Sequence, residues 1–378
     1  MDFQQIPGNE TVKTKLKEAY ADSRVSHALL FSAKEGYGGL AMAIAFSRLL
    51  LCEKPENNEA CGKCDACIKT KKLIHPDLHF VYPVNKSSLI DSKSTGPLSA
   101  DFVKYWREFV LQTPFAGAND WYNYIQLGNR QGNIAVRESE EIIKKLSLKS
   151  YEGGYKIMII WMAENMNTQT ANKMLKILEE PPEKTVFMLI TESAEDIITT
   201  ILSRTQLVKL SRPEDEKVKE YLIDYRNATP EQAEKMVFLA DGNIFEAEQA
   251  FLNLESDNVE DAFTDLFIDW MRACYMVKMN KMKEVIDVVD KFDIENKKLF
   301  LTYVLRMVRL SLLMKNKANS ILRATDKEKE FLQKFHLFVK EKSFYEQVNK
   351  AIIAIERNAN SKIVLMDMSF KLTRILKS

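Results

Sequence analysis

The chain has 378 residues, of which 46% are hydrophobic and 28% are charged, a composition typical of a folded protein with two or three domains. Its 54 Lys and Arg residues nearly balance its 53 Asp and Glu residues, which excludes a strong overall attraction to nucleic acid or an anionic membrane. The N-terminus lacks the pattern of a secretory signal and no apolar run reaches transmembrane length, so a cytoplasmic location is expected.

Short apolar runs alternate with amphipathic helical patterns over the first 210 residues, which predicts a parallel sheet covered by helices. The predicted strands are 27–32, 78–83, 124–128, 156–162 and 186–191. Between the last two, TQTANKMLKILEEPP has apolar residues at helical spacing and stops at Pro181 and Pro182. This segment predicts a strand, helix, strand unit.

Residues 32–43, SAKEGYGGLAMA, have the form of a phosphate-binding loop between a strand and a helix. A working loop follows G-x-x-x-x-G-K-[ST], in which the Lys reaches the β- and γ-phosphates and the hydroxyl binds Mg²⁺. In this register Ala33 replaces the first Gly, Gly38 is the second, Gly39 replaces the Lys and Leu40 replaces the Ser or Thr. The alternative is a simple glycine-rich turn. Under either interpretation the two functional side chains are missing.

Four of the five cysteines, Cys52, Cys61, Cys64 and Cys67, lie close together and include two C-x2-C spacings. Such a set predicts a structural zinc site with four thiolate ligands and no open position for chemistry, and incidental cysteines are the alternative. His75 and His79 could replace one ligand, although His75 is expected to fix the turn into the next strand. Cys274 is predicted to lie in the core.

The segment from about 84 to 123 breaks the strand and helix pattern and is interpreted as an insertion. Within it one helical face carries four aromatic residues, which are Phe102, Tyr105, Trp106 and Phe109. Such a stripe packs into a core more often than it docks on a partner, so a core position is favoured.

The strand at 156–162 is where a P-loop nucleotidase places its metal-side acidic residues, but Trp161 and Met162 stand there. Because these acids and the loop Lys are both missing, no ATP hydrolysis at this site is expected. Backbone amides at the following helix N-terminus could still hold a phosphate weakly.

From about residue 212 onward only helices are predicted, and a polar stretch near 255 separates a small helical unit from a longer one. The expected domains are therefore 1–210, 211–256 and 257–378.

The order of SHALLFS, the degenerate loop, the cysteines, HPDL, VRESEEIIKKLSLKSYEGGYKIMII, ANKMLKILEEPP and TILSRT resembles the clamp-loader subunits of bacterial DNA polymerase III over residues 1 to about 250. The missing Lys and acids are similar to the delta-prime subunits and unlike the ATP-hydrolysing gamma or tau subunits. The resemblance implies an AAA+ fold: an α/β core-like domain at 1–210 with a zinc module at 52–67, a helical lid at 211–256 and an oligomerising helical collar at 257–378.

The resemblance also implies a role as a stator that has neither ATPase nor polymerase activity of its own. Its implied partners are gamma or tau and delta subunits in a hetero-pentamer, the sliding clamp and, through the complex, primer-template DNA. No membrane partner is implied.

In this family a Ser-Arg-Cys motif supplies an arginine finger to the ATP of a neighbouring subunit, and Ser203, Arg204 and Thr205 stand in its place. The resemblance implies that Arg204 stabilises charge on the γ-phosphoryl group in trans, with Thr205 affecting packing. A solvated arginine at a helix end is the alternative. Thr191 stands where related ATPases have a polar sensor, so it is expected to be a relic or a strand cap.

Glu179 and Glu180 are expected at the C-terminus of a helix, where negative charge is unfavourable. This predicts a compensating group outside the helix, or simply two solvated carboxylates.

Two other functions remain open from the sequence. The first is an autonomous ATPase like gamma or tau with an unusual loop. The second is a zinc-dependent nucleic-acid adaptor. This function is disfavoured because few Lys and Arg residues lie between Cys52 and Cys67.

Overall fold

A five-stranded parallel sheet organises the first part of the chain. The computed structural model describes residues 1–90, 96–128, 130–152, 154–240, 242–252, 259–292, 294–318, 324–356 and 359–377. The strands are β1 (Ala28–Ser32), β2 (Leu78–Val81), β3 (Lys156–Trp161), β4 (Thr185–Thr191) and β5 (Gln206–Lys209). They lie side by side in the order β2-β3-β4-β1-β5, and every neighbouring pair is parallel.

Helices connect and follow these strands. In the first part of the chain they are α1 (Glu10–Ala21), α2 (Gly39–Leu51), α3 (Asp65–Lys71), α4 (Val103–Gln112), α5 (Ala118–Tyr124), α6 (Val136–Ser147), α7 (Thr168–Glu179), α8 (Thr199–Leu202), α9 (Asp215–Arg226), α10 (Pro230–Ala240) and α11 (Ile244–Leu252). Short 3-10 turns occupy Phe3–Gln5, Ser99–Phe102, Ala163–Asn165 and Ala194–Asp196.

The sheet lies between two apolar layers because its central strands are apolar on both faces, as parallel strands are. Alternate residues of β1, β3 and β4 enter different layers, so that Leu29 and Phe31 pack with α2, α4 and α5. Ala28 and Leu30 pack with α6, α7 and α8 on the other face. The predicted parallel α/β fold is therefore confirmed.

One predicted strand is wrong and one observed strand was missed. Tyr124 ends α5 and residues 125–128 follow it without forming a strand, because Gln126 has a φ of 55° and cannot continue an extended strand. The fifth strand is instead β5, at the edge of the sheet, and most of its side chains are exposed. Its sequence QLVK therefore lacks the apolar pattern that marks the central strands.

The chain divides into two compact units, Met1–Leu254 and Glu255–Ser378. The first unit contains the sheet together with α9, α10 and α11. The finer predicted division of that unit at residue 210 stays a prediction.

The second unit is helical throughout its described part, as predicted. Its helices are α12 (Val259–Met276), α13 (Met279–Asp290), α14 (Ile294–Lys315), α15 (Asp326–Phe335), α16 (Glu341–Glu356) and α17 (Ser361–Lys377). They enclose one aromatic-rich core that includes Phe267, Trp270 and Phe300. Cys274 is fully buried there, which confirms its predicted core position. Across the described residues, no helix has the length and apolarity needed to cross a bilayer.

Candidate functional site

The loop between β1 and α2 has the shape of a phosphate-binding loop, but its key positions are closed to functional side chains. Gly38 precedes α2 in the left-handed conformation, with a φ of 86°. A Cβ on Gly39, the Lys position, would lie 2.9 Å from the Cβ of Ala33 and 3.2 Å from Cγ2 of Ile190. Leu40, at the Ser or Thr position, is buried in the core. The two missing groups therefore cannot be restored by simple replacement.

Aromatic packing occupies the end of β3, where the acidic residues of an ATPase belong. Trp161 is buried and its ring lies 5.2 Å from that of Trp106 on α4. Met162 is also buried, and its φ of 54° turns the chain sharply out of the strand. Neither side chain can bind Mg²⁺, which prefers oxygen ligands.

The aromatic stripe of the predicted insertion contributes to this packing. Phe102, Trp106 and Phe109 are buried and Tyr105 is partly buried, which confirms the favoured core interpretation. The polar residues at 91–95 of the predicted insertion lie outside the described residues.

Glu164, two residues after Met162, is a carboxylate that the sequence interpretation did not consider. Its Oε1 accepts a hydrogen bond of 3.3 Å from the backbone amide of Glu192, so it joins the ends of β3 and β4. Burial raises its pKa, and the charge of Asp196 adds to this effect. Its described contacts are thus those of a structural residue.

Acidic side chains surround the cavity beside the loop. The cavity has a volume of about 480 Å³ and is lined by Lys34, Glu35, Tyr37, Glu192, Ser193, Asp196, Ala240, Asn243 and Glu246. Four acidic side chains and one ammonium group line it, and burial raises the pKa of Glu192 and raises that of Glu246 to about 7. The lining therefore has no excess of positive charge to attract the phosphates of a nucleotide. Sequence reasoning missed this lining because its residues come from three distant segments.

The helical segment after the sheet touches the loop directly. The amide of Ile244 donates a 3.1 Å hydrogen bond to the carbonyl of Gly36, and Nδ2 of Asn243 donates to the carbonyl of Glu35 at 3.4 Å. The ring of Phe115 also lies 5.6 Å from that of Tyr221 on α9. These contacts join α9 and the start of α11 to the loop and to the segment after α4.

Thr191 is buried at the end of β4, where its hydroxyl donates a 2.8 Å hydrogen bond to the carbonyl of Ser193. This contact fits the strand-cap interpretation.

Arg204 lies at the amino-terminal end of the strands, whereas the loop lies at their carboxyl-terminal end. It follows α8 and precedes β5, which pairs in parallel with β1 from Gln206 beside Leu29 to Lys209 beside Ser32. The loop begins after Ser32, and three strand residues alone separate the two ends by about 10 Å. Arg204 therefore cannot serve the loop of its own chain.

The guanidinium of Arg204 is partly exposed and makes several contacts. Its Nε donates a 2.6 Å hydrogen bond to Oε1 of Glu179, and its Nη1 donates to the carbonyl of Thr200 at 2.9 Å. Nη1 also lies 3.3 Å from the hydroxyl of Ser203, which is exposed. Thr205 is half-buried and donates to the carbonyl of Leu202 at 3.2 Å, a local packing contact.

The four clustered cysteines come together where α2 ends and α3 begins: Cys52 follows α2, Cys61 and Cys64 lie in the connecting loop, and Cys67 lies in the first turn of α3. The Sγ atoms of Cys52, Cys61, Cys64 and Cys67 all lie within 4.8 Å of one another and could hold a metal ion. Tetrahedral zinc bonds of about 2.3 Å require sulfur separations of about 3.8 Å, so only a small contraction is needed. No ligand position is left over for water or substrate.

Local hydrogen bonds prepare this cluster for a cation. The amides of Lys63 and Cys64 lower the pKa of the Cys61 thiol to about 6. The amide of Cys61 donates to Sγ of Cys52 at 3.3 Å, and that of Cys67 donates to Sγ of Cys64 at 3.4 Å. Burial raises the pKa of Cys52 and Cys67, an effect that a bound cation would counteract.

His75 lies outside the thiol cluster, with Nδ1 accepting a hydrogen bond from the amide of Asp77 and Nε2 lying 2.9 Å from Oε2 of Glu152. It fixes the turn into β2, as expected. Burial lowers the pKa of His79 to about 4, so its imidazole is neutral near pH 7.

Comparison with known proteins gives consistent results for the first unit. A family model described as DNA polymerase III, delta subunit, matches residues 8–214. DNA polymerase III subunit delta' of Escherichia coli (strain K12) is 29% identical over 202 residues, which are 53% of this chain and 47% of that protein. The subunit delta' of Bacillus subtilis (strain 168) is 27% identical over 232 residues, 61% of this chain and 56% of that protein.

The chain thus spans about half the length of the curated relatives it matches. A solved structure of a DNA polymerase III gamma subunit-related protein from Thermotoga maritima aligns with 97% of this chain and 99% of its own, at 15% identity and a TM-score of 0.42.

Proposed function

The chain belongs to the DNA polymerase III delta-subunit family, and from this premise we propose that it is a delta-prime subunit of the clamp loader. In this role it is a non-hydrolysing stator that helps to load the sliding clamp onto primed DNA. It places Arg204 as an arginine finger against ATP bound by a neighbouring subunit. The cytoplasmic location stays a prediction.

The separation of Arg204 from its own loop carries this proposal. The loop lacks a phosphate-binding Lys, the end of β3 holds Trp161 in place of an acid, and the cavity beside the loop is lined by four acidic side chains. We propose that the partly exposed guanidinium, at the opposite end of the strands, acts on a nucleotide held by another subunit. Arg204 with Ser203 beside it thus forms the proposed catalytic group in trans.

The stator part of the proposal is supported by the contacts of α11 with the loop. In an ATPase that cycles, a nucleotide connects the lid to the phosphate loop and its loss frees the lid. Here the hydrogen bonds from Ile244 and Asn243 make this connection within the chain itself. We therefore expect this subunit to keep one conformation during the ATP cycle.

We further propose that the thiol cluster binds one structural Zn²⁺, because soft thiolates favour this ion and four ligands complete its shell. Zinc would be held by Cys52, Cys61, Cys64 and Cys67 and would supply folding energy to the loop and no chemistry. The proposed partners are gamma or tau and delta subunits in a hetero-pentamer, the sliding clamp and primer-template DNA.

The test of this function is clamp- and DNA-stimulated ATP hydrolysis by a complex reconstituted with the ATPase subunits. Arg204→Ala should leave assembly intact and silence the ATP site that faces it, because a finger contributes about 10³- to 10⁵-fold to kcat. The total rate of ATP hydrolysis by the complex should fall by the fraction that this one site contributes. Arg204→Lys should restore little, because an ammonium lacks the planar fork of a guanidinium.

A matched control is Arg24→Ala, which removes the same charge from a more exposed side chain shortly before β1 begins. Its hydrolysis should equal that of the wild type. If Arg204→Ala also equals the wild type in an intact complex, the finger assignment is wrong.

A further inference from the structure

Glu179, the last residue of α7, holds the guanidinium of Arg204. Oε1 of Glu179 accepts hydrogen bonds from Nε, at 2.6 Å, and from Nη2 of Arg204. The α7 helix runs back from the end of β3 to the start of β4, so its C-terminus lies at the amino-terminal end of the strands, where Arg204 also lies. The carboxylate therefore binds the side of the guanidinium that Nε and Nη2 form.

Counting the five N–H groups of the guanidinium shows which remain for a ligand. Nε and one hydrogen of Nη2 serve Glu179, and Nη1 serves the carbonyl of Thr200 at 2.9 Å. The contact of Nη1 with the Ser203 hydroxyl is longer, at 3.3 Å. The second hydrogen of Nη2 has no partner among the described residues. One hydrogen of Nη2 is therefore free, and a phosphoryl group at the outer end of the fork would bind it and replace the longer contact of Nη1 with the Ser203 hydroxyl.

Both members of the pair are fixed by their buried neighbours. Leu178, next to Glu179, and Ile201, three residues before Arg204, are each only 1% exposed and belong to the same apolar layer. Glu180, Pro181 and Pro182 follow, and the prolines prevent α7 from continuing, so Glu179 stands at a defined helix terminus. Movement of the guanidinium is thereby restricted to its own side-chain torsions.

Stability does not account for this pair. The side chain of Arg204 is 34% exposed and that of Glu179 is 47% exposed, and ion pairs of this exposure contribute little to stability. Glu179 also lies at a helix C-terminus, where a negative charge is unfavourable. The pair adds little to folding, but it selects one orientation of a long and flexible side chain.

We propose that Glu179 is the positioning residue of Arg204: it fixes the inner edge of the guanidinium so that the outer Nη1 and Nη2 atoms face a phosphoryl group bound by a neighbouring subunit. This inference rests on the proposed function of Arg204. Without Glu179 the side chain would sample several rotamers, and the finger would reach the phosphoryl group only part of the time.

The experiment compares Glu179→Ala, Glu179→Gln and Glu180→Ala in the reconstituted complex, with Arg204→Ala as the reference. Glu180 is the matched control because it is the next acidic residue, is exposed, and has no side-chain partner among the described residues. Glu179→Ala should lower kcat at the site facing Arg204 by about 10- to 100-fold with KM for ATP unchanged, because misplacement affects the transition state.

Glu179→Gln keeps a carbonyl oxygen that can accept the Nε hydrogen bond, so it should recover much of the loss. Glu180→Ala should equal the wild type. The double variant Glu179→Ala, Arg204→Ala should be no slower than Arg204→Ala alone, because both changes remove one interaction.

Each failure has a distinct meaning. If Arg204→Ala lowers hydrolysis but Glu179→Ala leaves it unchanged or raises it, the positioning inference is overturned and the proposed function stands. A loss with Glu179→Ala that adds fully to the Arg204→Ala loss also overturns the inference. If Arg204→Ala itself has no effect, the proposed function fails first.

Discussion

At the scale of single residues, Gly39 and Trp161 support the prediction that the chain does not hydrolyse ATP at its own loop. The first is confined between Ala33 and Ile190, and the second fills the metal-side position with an indole ring packed on Trp106. Each change on its own would disable an ATP site. Together they have turned the site into part of the core, which explains why its glycine-rich shape persists without its side chains.

Restoring the loop Lys should therefore damage the protein. Gly39→Lys is expected to lower the free energy of unfolding by about 1–3 kcal/mol, because its Cβ meets Ala33 and Ile190 at distances below normal contact. It should not create ATP hydrolysis. Chemical denaturation and an ATPase assay measure the two outcomes.

Gly154→Lys provides the matched control, because an added Cβ there has nothing within 4 Å. This variant should unfold like the wild type. A Gly39→Lys protein as stable as Gly154→Lys would contradict the packing account.

At the scale of elements, the sequence predicts what local patterns encode. The central strands β1, β3 and β4 are continuous apolar runs, and the helix α7 shows apolar spacing and a proline stop, so all four were predictable. The exposed edge strand β5 has no such pattern, and residues 124–128 look like a strand until the left-handed Gln126 is known. The contact of Glu179 with Arg204 joins residues 25 positions apart, and only its unfavourable place at a helix end hinted at a partner.

The thiol module gives a prediction at this scale. Purified protein should contain one zinc per chain, and Cys61→Ser or Cys64→Ser should abolish this content because three thiolates leave the tetrahedral shell incomplete. Metal analysis after gel filtration is the measurement, and removal of zinc with a chelator should lower the midpoint of thermal unfolding.

Cys274→Ser serves as its control, because Cys274 lies in the core of the second unit and apart from the cluster. This variant should keep its zinc. Wild-type protein that folds fully and contains no zinc would contradict the proposed site.

At the scale of the whole molecule, the two ends of the strands in the first unit carry different groups: acidic side chains at the carboxyl-terminal end and Arg204 at the amino-terminal end. The carboxyl-terminal end carries a closed, acid-lined loop joined to α11. The amino-terminal end carries Arg204 held by Glu179. This division fits the proposed role, in which Arg204 completes the ATP site of a neighbouring subunit.

The central claim, that the chain cannot hydrolyse ATP but completes a neighbour's site, is tested most directly by one set of rate measurements. ATP hydrolysis is followed with the chain alone, with its ATPase partner subunits alone, and with both assembled on clamp and primed DNA. The account predicts no turnover by the chain alone and a higher rate in the assembly than with the partners alone, an increase that Arg204→Ala removes. Turnover by the chain alone, or an equal increase with Arg204→Ala, would contradict it.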